Sequence, residues 1–187
     1  MTASAPPIAC RSLLVLGGAR SGKSGYALAL AEAAAGERLY LATGSAGDEE
    51  MAARIARHRA ERGAGWTTLE EPLALAEALA REARPARVVL VDCLTFWLAN
   101  AMAAQRDVAG ETARLCAAIG ALAGPAVFVS NEVGSGIVPG TRLGRDFRDA
   151  QGRLNQAVAR ACDGVALVVA GLPIQLKPAP RPRFDLQ

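Results

Sequence analysis

One eight-residue stretch, Gly17-Gly18-Ala19-Arg20-Ser21-Gly22-Lys23-Ser24, carries a pattern for holding phosphate, G-x-x-x-x-G-K-[ST]. Its glycines let the backbone curl so that several N–H groups point inward, and the helix opening behind them adds its partial positive charge. In such a loop Lys23 reaches the β- and γ-phosphates of a nucleotide and Ser24 ligates Mg²⁺. A plain glycine-rich turn would leave the second glycine and the hydroxyl unexplained. The chemistry calls for a second acid near the Mg²⁺, at the end of an apolar strand. Asp92, after Val88-Val89-Leu90-Val91, stands in that position; the same residue type also caps helices, and a helix is expected to follow.

The chain has a single histidine, His58, within Arg54-Ile55-Ala56-Arg57-His58-Arg59-Ala60-Glu61-Arg62. Helical spacing puts Arg54 and Arg62 one turn on either side of it. Flanking cations disfavour imidazolium and keep the ring neutral and nucleophilic, while the same arginines could hold a polyphosphate. A lone histidine on a charged helix face is also an ordinary surface residue, and spacing leaves both readings open. Asn131 and Glu132 follow an apolar strand and belong at the same carboxyl edge as the phosphate loop, either beside a substrate or simply as a turn rich in Gly and Asn.

Positioning these groups requires short apolar strands alternating with alanine-rich helices, the pattern of a mostly parallel sheet with helices on both faces. Strands are expected over 13–16, 38–42, 87–92, 126–130 and 165–169, with a short extended piece over 66–69. Helices are expected over 24–35, 48–62, 94–104, 110–122 and 143–162, and over 72–83 with Pro72 in its first turn. Residues 1–172 read as one domain. The tail 173–187 is proline-rich and reads as a surface arm or as disordered.

The 187 residues include 21 Lys and Arg against 18 Asp and Glu, a net charge of +3 that is too small for a dedicated nucleic-acid binder. Cys10, Cys93, Cys116 and Cys162 are scattered without a CxxC, and one histidine cannot complete a zinc site, so four reduced thiols are expected. No stretch reads as a signal peptide or a membrane span, which points to a cytoplasmic protein.

The phosphate loop, Tyr40-Leu41-Ala42-Thr43, Asp48-Glu49-Glu50-Met51-Ala52-Ala53-Arg54-Ile55 with His58, and Ser130-Asn131-Glu132-Val133-Gly134-Ser135-Gly136-Ile137-Val138-Pro139 together resemble one family. It is the bifunctional adenosylcobinamide kinase/adenosylcobinamide-phosphate guanylyltransferase family of cobalamin biosynthesis. The resemblance runs over about 13–171 and implies a RecA-like P-loop NTPase fold. It further implies a kinase using ATP or GTP, and transfer of GMP from GTP to adenosylcobinamide phosphate through a GMP-histidine intermediate. By the same resemblance Gly17, Gly18, Ala19, Arg20, Ser21, Gly22, Lys23 and Ser24 bind GTP phosphates, and His58 is the guanylylated residue. Ala42, Thr43, Gly44, Arg59, Ala60, Glu61 and Arg62 match nucleotide-contacting stretches, and Glu70 and Asp92 match acids that contact nucleotide. The family pattern has Glu where this chain has Asp92, and the shorter acid leaves open whether it meets Mg²⁺ or guanine. The resemblance also implies a homo-oligomer, a trimer. Two other functions fit the phosphate loop alone: a kinase of another small molecule with His58 idle, and a nucleotide-switched binding module.

Overall fold

The computed structural model describes residues 9–44, 62–63 and 65–178. In chain order it contains β1 (Ser12–Gly17), α1 (Lys23–Ala33), β2 (Glu37–Ala42), β3 (Trp66–Glu70), α2 (Leu75–Glu82) and β4 (Arg87–Asp92). There follow α3 (Leu94–Ala103), α4 (Val108–Gly120), β5 (Ala126–Asn131), α5 (Arg142–Ala161), β6 (Gly164–Val169) and β7 (Leu172–Lys177). The strands form one sheet in the order β3-β2-β4-β5-β1-β6-β7, with all neighbours parallel except β6 and β7.

Strands buried on both faces read as unbroken apolar runs, and alternate residues leave them for opposite layers. In β4, Val88 and Leu90 join Ala27 and Ala31 of α1, together with Val127, Val129 and Val168, on one face. Val89 and Val91 join Leu75, Leu79, Trp97, Leu98, Leu115 and Leu154 of the other four helices on the opposite face. Each fully buried Leu or Val contributes roughly 1.5–3 kcal/mol relative to exposure. Alanine at the buried positions of α1 adds little of this, but its small size brings the helix close to the sheet above which the phosphate loop sits.

The expected strands and helices recur with ends shifted by a residue or two, apart from the helix over 48–62, which lies outside the described residues except for Arg62. Two expectations need correction. Pro72 is not in the first turn of α2, which starts at Leu75; it lies in the turn ahead of the helix, where the carboxylate Oε1 of Glu71 accepts from Leu73 N at 3.1 Å and Ala74 N at 2.8 Å. The segment from Pro173 to Lys177 is not an arm. It is the edge strand β7, joined to β6 by the two-residue turn Ala170-Gly171, both with positive φ (51° and 81°), the mirror-image turn that suits a hairpin's twist. Proline is tolerated there because an edge strand can spare an N–H. Among the described residues no helix is long and apolar enough to cross a membrane.

Candidate functional site

The carboxyl ends of β1, β5, β4, β2 and β3 lie side by side, and the phosphate loop, Ala42, Thr43, Gly44, Glu70, Asp92, Asn131 and Glu132 fall on this edge or on the loop and helix rising from it, whereas Arg62, ahead of β3, lies over Tyr40. The connection after β1 runs to α1 on one face, whereas that after β5 runs to α5 on the other. A sheet opens a ligand crevice at such a reversal.

The phosphate loop is built into that crevice by close packing. A Cβ on Gly17 would collide with Ser21 Oγ and lie 2.7 Å from the Val168 carbonyl oxygen. Gly22 has φ 91°, and its Cβ would stand 3.1 Å from Gly171 Cα. Gly171 N donates to Ser21 O at 2.8 Å, so the tip of the β6–β7 hairpin, absent from the sequence expectation, braces the loop from outside. Lys23 Nζ donates to the Gly18 carbonyl at 3.1 Å, which folds its ammonium over the loop. Ser24 sits half-buried in the first turn of α1, where backbone N–H groups have no intrahelical acceptor. Ala19 and Arg20 are exposed at the loop's crest.

Asp92 ends β4 on the face of the sheet that carries α1. Its Oδ2 accepts from the Tyr40 hydroxyl at 3.1 Å. The capping alternative for Asp92 is not what the structure contains, since the cap position of α3 is Cys93. Burial, and then the neighbouring Asp92 charge, push the Tyr40 hydroxyl well above its ordinary pKa, so it stays a protonated donor. The same two causes, burial first, raise the Cys93 thiol to about 11. All four cysteines are free thiols.

Of Ala42, Thr43 and Gly44, Thr43 has its side chain spent on structure. It is wholly buried, and its Oγ1 donates to Cys93 O at 2.6 Å while accepting from Cys93 N at 2.9 Å. Asn100 Nδ2 donates to Thr43 O at 2.7 Å and fixes the end of β2 from α3. Ala42 lies opposite Asp92 in the ladder, and Gly44 is packed against Phe96. Arg62 is 6% exposed, with Cζ 3.5 Å above the centre of the Tyr40 ring. Glu70 is exposed at the end of β3, opposite Ala42. Four strand spacings of about 4.8 Å separate β3 from β1, so Glu70 is roughly 19 Å along the edge from the phosphate loop. One bound triphosphate cannot meet both ends with its phosphates. His58, Arg59, Ala60 and Glu61 belong to the connection between β2 and β3 and lie outside the described residues.

Glu132 N donates to Gly17 O at 3.0 Å, and its carboxylate accepts from Gly134 N, so Glu132 shapes the turn after β5. Asn131 lies opposite Gly17 in the β1–β5 ladder. Sequence reasoning missed the buried helix residues behind it, Gln151 and Asn155, because polar residues inside an amphipathic helix look like its solvent face.

Residues 13–176 match the model of the cobinamide kinase / cobinamide phosphate guanyltransferase family. The chain belongs to that family. This cobinamide kinase/guanyltransferase is 50% identical over 169 residues to the bifunctional adenosylcobalamin biosynthesis protein CobP of Pseudomonas aeruginosa, covering 89% of this chain and 98% of that one. It is 40% identical over 180 residues to the bifunctional adenosylcobalamin biosynthesis protein CobU of Escherichia coli, covering 88% and 99%. Among solved structures, the type III secretion ATPase EscN of enteropathogenic E. coli shares its fold, with a TM-score of 0.57 at 13% identity. That match covers 86% of this chain and 43% of the ATPase. The fold is thus the RecA-like P-loop architecture. Membership makes the chain a nucleotide-binding enzyme with a kinase and a nucleotidyl-transfer activity on cobinamide compounds.

Proposed function

We propose that the chain phosphorylates adenosylcobinamide with ATP or GTP and then converts adenosylcobinamide phosphate to adenosylcobinamide-GDP through guanylylated His58. The observation that carries this reading is the separation along one sheet edge between the phosphate loop on β1 and the β2–β3 end, whose connection contains His58. Two transfers at two phosphorus atoms fit two ends of one elongated site.

In the kinase step the primary hydroxyl of adenosylcobinamide attacks the γ-phosphorus. The bond from that phosphorus to the oxygen bridging it to the β-phosphate breaks, the nucleoside diphosphate departs with that oxygen, and the hydroxyl proton passes to solvent. Loop N–H groups and Lys23 stabilise the charge on the transferring group, so catalysis is mainly positioning and electrostatics. Ser24 and Asp92 are oxygen donors of the kind Mg²⁺ prefers, carried on one face of the sheet. When bound there, the ion would neutralise phosphate charge. For guanylyl transfer, a neutral His58 nitrogen attacks the α-phosphorus of GTP and pyrophosphate leaves. A phosphate oxygen of adenosylcobinamide phosphate then attacks the same phosphorus, and the nitrogen–phosphorus bond breaks. Arg59, with Arg54 in the same connection, is assigned to the approaching phosphates. Arg62, buried on Tyr40, is assigned to anchoring that connection.

A corrinoid acceptor is large for a chain of this length, which favours a site completed by subunits of a homo-oligomer, a trimer by family resemblance, acting in the cytoplasm. Residues 1–172 with β7 are taken as one domain.

The test is incubation with GTP labelled on its α-phosphate. Label that survives denaturation, is released by acid and is absent from His58→Ala is the expected result. Label retained in that variant would sink the role of His58, and no label in the parent protein would favour a simple kinase.

A further inference from the structure

The end of β5 is held with more care than a turn needs. Past Asp92 the partner strand β4 has given way to α3, so Asn131 has no strand on that side to bond with. Two side chains replace it: Asn131 N donates to Thr95 Oγ1 at 3.0 Å, and Asn155 Nδ2 donates to Asn131 O at 3.0 Å. Asn155 is itself fixed in a buried cluster. Ser130 Oγ donates to Asn155 Oδ1 at 2.6 Å, and Gln151 Nε2 donates to Ser130 Oγ at 2.9 Å and to Asn155 Oδ1 at 3.0 Å. Ser130 and Gln151 are wholly buried, and Gln151 Oε1 has no hydrogen-bond partner. A buried acceptor left without a donor is destabilising, so this cluster has a cost that an apolar core would lack.

Strand alternation decides where the Asn131 side chain goes. Val127 and Val129 pack on the α1 face, Ser130 points to α5, and Asn131 therefore returns to the α1 face, the face of the phosphate loop and Asp92. It stands between them, opposite Gly17 on one side and one strand from Asp92 on the other. Among the described residues its carboxamide makes no hydrogen bond, and it is half-buried. The main chain is fixed at both polar groups while the side chain is left for something else.

The geometry points to Asn131 as a contact for the terminal phosphate of the nucleotide held by the loop, its Nδ2 donating to a γ-phosphate oxygen, with Thr95 and Asn155 as positioning residues. This rests on the nucleotide-binding reading of the Gly17 to Ser24 loop. An amide is the fitting group for a place already flanked by an acid: it donates to phosphate without adding a second negative charge. Gln151 and Ser130 act at one further remove, by locking the rotamer of Asn155.

The test compares GDP and GTP analogues carrying a methylene group between the α- and β-phosphorus, so that no guanylyl transfer occurs, titrated calorimetrically in the presence of Mg²⁺. Asn131→Ala is expected to lower triphosphate affinity about tenfold while diphosphate affinity stays within about twofold, the retained diphosphate binding showing that the loop is folded. Asn131→Asp, nearly the same shape, is expected to lower triphosphate affinity further by setting a carboxylate against the phosphate. Unchanged triphosphate affinity, or an equal loss for both ligands, overturns the assignment of Asn131. Failure of the unaltered protein to bind either analogue overturns the nucleotide reading of the loop instead.

Discussion

The Arg62 guanidinium lies over the Tyr40 ring, 3.5 Å from Cζ to the ring centre, and the hydroxyl of the same tyrosine is bonded to Asp92. Tyr40 thereby joins Arg62, in the connection between β2 and β3, to the acid at the end of β4. Trp66 packs against the Tyr40 ring in an edge arrangement, 6.4 Å between centroids. The ring thus holds Arg62 and the hydroxyl holds Asp92.

Tyr40→Phe separates these roles. It keeps the ring under Arg62 and removes the donor that orients Asp92, so kinase turnover should fall about tenfold, the usual cost of removing a group that orients a metal-binding carboxylate. Labelling of His58 from GTP should change far less. Parallel rate measurements check this, and equal loss of both activities would show that the hydroxyl merely maintains the fold.

Gly17→Ala should be far more damaging than its one added methyl suggests. The new Cβ meets Ser21 Oγ and the Val168 carbonyl, and the second of these belongs to a strand backbone that cannot turn aside. We expect a loss of about 1–3 kcal/mol in stability and at least about tenfold weaker nucleotide binding. Gly120→Ala is the comparison, since nothing lies within 4 Å of its Cβ at the end of α4 and helix propensity favours alanine by about 1 kcal/mol. Chemical denaturation of both variants, with nucleotide titration of the first, is the measurement.

Asp163 ties the start of β6 to the start of β1 by accepting from Arg11 N at 2.8 Å, Ser12 N at 3.0 Å and Ser12 Oγ at 3.1 Å. The hydrogen bond from the Arg11 N–H, ahead of those from Ser12, holds its carboxyl below the usual carboxylate range. A depressed folded-state pKa gives stability that is present above the unfolded value of about 3.9 and lost as pH falls through the folded value. Asp163→Asn should therefore lower the melting temperature at pH 7 by an amount worth about 1 kcal/mol, given the exposure of the group. The gap to the parent protein should close on acidification below about pH 4. A gap that persists undiminished at low pH would show that charge at Asp163 contributes nothing.

The phosphate loop, the order of strands and helices and Asp92 were legible in the sequence because each depends on residues close together in the chain. A G-x-x-x-x-G-K-S between an apolar run and a helical period has one local outcome, and Val88-Val89-Leu90-Val91 cannot be other than buried. The strand β7 was not legible in the same way. Pro173 argues against a central strand, and only the sheet order reveals that this strand stands at an edge where proline does no harm. Thr43 matches a nucleotide-contacting stretch by resemblance, and only the structure shows that its hydroxyl is bonded to both polar groups of Cys93.

By itself, the sequence determined the groups available to this chain: a glycine-rich loop with the phosphate-binding pattern, a single histidine among arginines, and a fold that places strand ends on a common edge. Only the tertiary structure decided how those groups relate. Which strand lies between the phosphate loop and Asp92, which face Asn131 presents, and the burial of Arg62 on Tyr40 are all set by pairing between segments distant in the chain. Neither periodicity nor motif encodes such pairing. It is fixed when the two hydrophobic layers close on the sheet and bring those segments into register.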